Sequence, residues 1–141
     1  MAPEVPVILV LLLTLFTVQA PADADGLTPL MRAAARGDAA EVTRLVAGGA
    51  DANLAHAALK LTPLMFAAYF GHDAVVAHLL ESGARANVKD ASGASAADWA
   101  AQGGHETTAT RLATAGGQLN PFLNVGVLPF GLMDKAAGKA P

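Results

Sequence analysis

The chain has 141 residues, of which 53% are hydrophobic, 5% aromatic and 15% charged, with a net charge of −3. That length fits one domain. The acidic balance lacks the basic stripe of a nucleic-acid binder, and the lack of any cysteine removes disulfides, thiol catalysis and cysteine metal ligation.

From the N-terminus, Val5 to Val18 is an almost unbroken apolar run, and no charge falls between Glu4 and Asp23. The run is shorter than the roughly 20 residues that span a bilayer. Val18-Gln19-Ala20 resembles the small-residue cleavage site of an export signal, although Glu4 stands where such signals carry Lys or Arg. Residues 1–20 therefore read as a signal peptide, which puts the mature protein outside the cytoplasm, periplasmic or secreted. The alternative is an uncleaved membrane anchor formed by residues 5–18. A buried helix of a cytosolic protein fits least, because such a run has no polar face to turn toward water.

Beyond it the chain repeats itself. Thr28-Pro29-Leu30-Met31-Arg32-Ala33-Ala34 recurs 34 residues later as Thr62-Pro63-Leu64-Met65-Phe66-Ala67-Ala68. It returns after a further 33 as Ser95-Ala96-Ala97-Asp98-Trp99-Ala100-Ala101. Gly37, Gly71 and Gly104 follow in register, then Leu45, Leu79 and Leu112, then Gly49, Gly83 and Gly116, then Asn53, Asn87 and Asn120. A fixed period of this length means stacked copies of one supersecondary unit. With so few aromatics, the core must be Ala, Leu and Val in close contact.

In the second copy, Thr62 is an N-cap and Pro63 suits the first helical position. Leu64, Ala67 and Ala68 have helical spacing, and Gly71 ends a short helix. After His72-Asp73, the residues Val75, Val76, Leu79 and Leu80 form the stripe of a second helix that Gly83 closes. The first copy repeats this with Leu30, Ala33, Ala34, Val42, Leu45, Val46 and Gly49. The third keeps Ser95 as cap but has Ala109 and Ala113 where the others carry larger residues. It buries less apolar area and reads as a terminal cap.

These residues resemble the ankyrin repeat: Thr-Pro-Leu-x-x-Ala-Ala, Gly-His, Val-Val, Leu-Leu and Gly-Ala-Asp-x-Asn, over residues 23–120 in units of about 23–54, 55–88 and 89–120. The resemblance implies an all-α solenoid of helix-turn-helix units with β-turn fingers. It also implies protein–protein recognition through the fingers and inner helices. The family's His after Thr-Pro-Leu is replaced by Met31, Met65 and Asp98. The finger Leu54 to Leu61 carries one extra residue and lacks the Asp and Gly of 23–26 and 90–93, so a helical turn presenting Leu59, Lys60 and Leu61 is expected there.

In such arrays the two positions before the first-helix Gly face a concave groove. Here they form the columns Ala35, Tyr69, Gln102 and Arg36, Phe70, Gly103. Arg36, Tyr69, Phe70 and Gln102 are thus candidate partner contacts together with Leu59, Lys60 and Leu61. Tyr69 and Phe70 are adjacent aromatics of the kind that anchor interfaces, or else they pack against the long finger or the C-terminal tail. Trp99 shares the column of Arg32 and Phe66 and reads as structural.

His72 and His105 hold the Gly-His position, while His56 and His78 are isolated. Gly104-His105-Glu106 has no second His four residues on, as a metalloprotease motif would. No nucleophile triad, P-loop or dinucleotide fingerprint occurs, and Asp98 and Glu106 read as solvated surface carboxylates. The expectation is no catalytic residue, no metal and no cofactor.

Residues 121–141 are a C-terminal segment. Pro121 to Leu132 is apolar enough to cover the exposed flank of the third unit or to dock on a partner or membrane, and Asp134 to Pro141 reads as disordered. The chain is expected to be a monomeric, non-catalytic scaffold or adaptor binding a protein partner, with no nucleic acid and no membrane contact except through an uncleaved N-terminus. The alternative is a membrane-tethered accessory or structural subunit that positions or protects a partner enzyme.

Overall fold

The computed structural model describes residues 22–120 and 130–138 of the chain, so the expectations for residues 1–20 and 121–129 lie outside the described residues. Among the described residues the elements are α1 (Pro29–Arg36), α2 (Ala39–Ala47), α3 (Pro63–Tyr69), α4 (Asp73–Glu81), α5 (Ala96–Gln102), α6 (Glu106–Thr114) and α7 (Phe130–Ala136), with no strand.

The inner helices α1, α3 and α5 start in the same way. Thr28, Thr62 and Ser95 have extended backbones, and their hydroxyl oxygens accept from the N–H of Met31, Met65 and Asp98 at 3.2, 3.3 and 3.3 Å. The reciprocal half of this capping box also forms. The Thr28 and Thr62 amides donate to the sulfurs of Met31 and Met65 at 3.5 and 3.4 Å, and the Ser95 amide donates to Asp98 Oδ2 at 2.9 Å. Methionine sulfur is a weak acceptor, yet it keeps the helix start closed where the family has His. Asp98 is therefore not the surface carboxylate expected of it. It is buried, and its other oxygen accepts the Asn120 amide at 2.7 Å, tying the loop after the third unit back to α5.

Each inner helix packs antiparallel on its own outer helix, α1 on α2, α3 on α4 and α5 on α6, and the inner helices stack α1 on α3 on α5. Ala34, Ala67, Ala68, Ala97 and Ala100 sit between them with no exposure, so their lack of bulk sets the close approach of the backbones. Phe66 and Trp99 are the largest fully buried side chains beside them, Leu79 and Leu112 are fully buried too, and Leu45 is half-buried. Trp99, structural as expected, donates its indole N–H to Asp90 at 2.8 Å.

Polar groups lock one unit to the next. Asn53 donates to Gly83 O at 3.0 Å and accepts from the Arg85 amide at 2.9 Å. The His72 Nε2 meets Ala35 O at 3.0 Å, and the His72 ring lies over Gly37. A carbonyl can only accept, so Nε2 carries the proton. Gly37 (φ 74°) adopts a left-handed conformation and also leaves no room for a β-carbon beneath that ring; Gly71 (φ 70°) does the same under His105. The Gly and His of the repeated Gly-His pair thus act across a junction, the His of one unit covering the Gly of the unit before it.

The finger at 54–61 forms a single turn closed by an i→i+4 hydrogen bond, that of one helical turn, in place of the Asp–Gly turn of the other two fingers. In the two Asp–Gly fingers, the Asp23 and Asp90 amides donate to Leu27 O and Ala94 O, and Gly26 and Gly93 close back on them with positive φ. In the middle finger, the His56 amide donates to Leu61 O at 2.8 Å and Lys60 closes back on His56 O at 2.8 Å, one residue further on. Lys60 adopts φ 58°, the role Gly takes in the other two. The His56 ring replaces the Asp side chain: Nδ1 accepts the Leu59 amide at 3.1 Å and Nε2 donates to Asp25 O at 3.0 Å. The extra residue is absorbed as a wider turn.

The C-terminal expectation is also corrected. Asp134 to Ala136 are helical rather than disordered, and α7 packs against α1 of the first unit, with Met133 and Ala136 fully buried. The reason lies at the two flanks. The third unit ends in an outer helix whose Thr107, Thr110, Arg111 and Thr114 already face water. Among the described residues no repeat precedes the first unit, and its Leu27, Leu30 and Ala33 are buried.

Candidate partner-binding face

The face formed by the C-terminal halves of the inner helices carries the residues singled out in the sequence. Arg36 and Gln102 are exposed, at the last helical positions of α1 and α5. Between them, at the end of α3, Tyr69 and Phe70 are half-buried. The Tyr69 ring meets Phe70 edge-on with centroids 5.0 Å apart, and Trp99 edge-on at 5.7 Å. Phe70 stacks on the His72 ring at 6.0 Å. The two aromatics are therefore wedged into the array at one edge while still reaching its surface. At the neighbouring position Gly103 is required, because a β-carbon there would fall on the Tyr69 carbonyl.

The finger residues divide. Lys60 is exposed at the tip, and Leu59 is half-buried against the core, with its carbonyl accepting the Ala91 amide of the next finger at 3.0 Å. Leu61 is 1% exposed and belongs to the core, so it cannot touch a partner. The wider turn explains this: pairing Leu61 with His56 points its side chain inward, as Leu27 points inward after the first finger.

The structure adds residues that sequence reasoning passed over. Arg32 donates from Nε to Asp23 at 2.6 Å, with a second nitrogen on the same carboxylate, and from Nη1 to Lys135 O of α7 at 3.2 Å. Lys135 Nζ lies 3.3 Å from Asp25. Gly138, just past α7, lies near Arg36, whose guanidinium would be 3.6 Å from a β-carbon there. Desolvation works to raise the Asp23 carboxyl, but hydrogen bonds from Arg32 and from the Leu27 and Asp25 amides outweigh it and hold it below the usual carboxylate value. The Tyr69 hydroxyl is pushed up, first by burial and then by the negative charge of Asp134. The helix α7 therefore lies against α1, with Gly138 near Arg36 and the Asp134 charge acting on Tyr69. The apolar character of the tail was a visible signal, but nothing in the sequence says which end of the array it covers.

Among the described residues no group of three or more His, Asp or Glu side chains is placed to hold a metal, and no helix is long and apolar enough to cross a membrane. What the geometry defines is a tandem helical-hairpin array with an aromatic and basic inner face. A family model described as ankyrin repeats, in three copies, matches residues 7–90 and again 30–122. The matches span most of the chain, which belongs to the ankyrin repeat family. No curated protein matches it. Repeats of this family build protein–protein interaction modules and are typically non-catalytic.

Proposed function

We propose that the chain is a monomeric interaction module that works outside the cytoplasm and holds a protein partner on its inner-helix face. Arg36, Tyr69, Phe70 and Gln102 would be the contacts, with Lys60 and Leu59 of the middle finger beside them. The observation that carries this is their convergence. Two half-buried aromatics reach the surface between an exposed Arg and an exposed Gln on three consecutive inner helices. Rigid aromatics next to Arg concentrate interface energy because they bury area at little entropic cost.

The test is affinity capture from an extracytoplasmic fraction, read by mass spectrometry. Arg36→Glu changes an exposed side chain and is expected to abolish capture with the helical circular-dichroism signal retained. Tyr69→Ala combined with Phe70→Ala is expected to abolish capture too, with the helical circular-dichroism signal retained. Capture that survives both variants rejects the face. The location rests on the Val5 to Val18 run and the Val18-Gln19-Ala20 site. N-terminal sequencing of the native protein is expected to start at Pro21, and a start at Met1 favours the membrane-tethered accessory subunit.

A further inference from the structure

A helix of seven residues has too few internal hydrogen bonds to hold its shape in water, so α7 owes its form to what it lies on. Met133 and Ala136, one turn apart, are both fully buried, and Leu132 and Ala137 flank them half-buried. Its last turn ends near the two arginines of α1: Arg32 donates to the Lys135 carbonyl, and Gly138, just past the helix, lies where a β-carbon would be 3.6 Å from the Arg36 guanidinium. Cations at a helix C-terminus satisfy the last carbonyls and the dipole. Asp134 lies between the two buried residues, and its negative charge adds to the upward push on the Tyr69 hydroxyl. The polar fastenings are exposed: Lys135 pairs with Asp25, and Arg32 with Asp23, at partly solvated side chains, where water and salt weaken ion pairs.

We propose that α7 is a built-in competitor for the inner-helix face. The partner would present a short helix of the same chemistry: an apolar pair three residues apart, an acid between them, and a C-terminal end delivered to Arg32 and Arg36. This rests on the reading above, that the face is the partner site. A partner helix ending on Arg32 and Arg36 would take the ground that the Lys135 carbonyl and Gly138 occupy in the closed chain. Because α7 is tethered to the array, its local concentration is on the order of millimolar. A partner in solution must overcome that, and its apparent affinity falls by the fraction of time the face is closed. Recognition would then be gated by release of one short, polar-fastened helix.

The experiment uses a fluorescein-labelled synthetic peptide of residues 130–138 and the full-length protein, read by fluorescence anisotropy. Met133→Asp puts a charge at a buried position of α7 and vacates the face. It is expected to bind the peptide at least ten-fold more tightly than the unmodified chain. A chain ending at Pro129 should match it, which guards against a folding defect peculiar to the substitution. Adding Arg32→Ala to the vacated form is expected to lose the gain, and a peptide carrying the Met133→Asp change should not bind. Equal peptide affinity for the closed and vacated chains overturns the proposal. So does failure of both vacated forms to bind while their helical signal and melting transition persist. Protein capture that is identical for the unmodified chain and Met133→Asp also overturns it, while leaving the partner-binding reading intact. Tightened peptide binding with no protein captured by any form sustains internal docking and removes that reading instead.

Discussion

The two ends of the array face the same problem and solve it differently. Among the described residues no repeat precedes the first unit and none follows the third, so each has a flank that a middle unit would bury. At the third unit the solution is local. Its outer helix turns Thr107, Thr110, Arg111 and Thr114 to water, and Asp98 holds the following loop through Asn120. At the first unit the solution is remote. The helix α7, more than 90 residues along the chain from α1, supplies Met133 and Ala136. A local cap can be read from a repeat that changes its own side chains. A remote cap is a segment that falls outside the repeat altogether, and such a cap can be removed without breaking the solenoid.

The largest effect should come from the third unit's internal anchor. Trp99→Ala removes a fully buried indole and leaves Asp90 without its N–H donor. It is expected to cost about 3–5 kcal/mol, read as a lower midpoint in thermal denaturation followed by circular dichroism. A change below 1 kcal/mol would mean that the third unit is not part of the cooperative core. Deleting residues 121–141 should cost about 2 kcal/mol, the low end for losing a buried Met, since ordering entropy of the tail is recovered. Its location matters more than its size. Hydrogen exchange should accelerate in α1 and stay unchanged in α5. Faster exchange in α5 would mean that the tail covers the third unit after all. Asp98→Ala tests the local cap. It leaves the Ser95 and Asn120 amides without acceptors and should cost about 1–2 kcal/mol, with exchange accelerated around α5 and not in α1.

Much of the solenoid was legible because the period fixes it. Thr28, Thr62 and Ser95 mark helix starts and Gly37, Gly71 and Gly104 mark helix ends, and these are local signals that need no partner to act. Met31 and Met65 stand where the family has His, and the structure shows their sulfurs accepting from the Thr28 and Thr62 amides. What was not legible depended on long-range placement. Leu61 looked like a fingertip residue because the finger's extra residue hides which side of the turn it falls on. His56 looked isolated because its acceptor, Asp25 O, is 31 residues away. Asp98 looked solvated because the amide it holds, that of Asn120, comes from another loop. The tail's amphipathic pair at 133 and 136 was lost among Gly and Pro. Periodicity says how copies stack, and it says nothing about where a non-repeating segment lands.

The smallest effect distinguishes the ends most cleanly. The chain has a single tyrosine, and the charge of Asp134 in α7 acts on it. Burial raises the Tyr69 hydroxyl first, and the Asp134 carboxylate raises it further because a neighbouring negative charge opposes formation of the phenolate. Asp134→Asn removes that charge without removing the helix, so the tyrosinate absorbance should titrate at lower pH than in the unmodified protein. Deleting α7 should lower it more, since solvent then also returns to the ring. The stability consequence has a definite sign. A hydroxyl whose folded value lies above its unfolded one favours the folded state below the ordinary tyrosine value, and that contribution is lost as pH rises through the folded value. Base should therefore loosen the α7 contact before it unfolds the third unit, whose cap contains no tyrosine. If Asp134→Asn leaves the titration where it was, the charge of α7 does not act on Tyr69, and the difference between the two ends disappears with it.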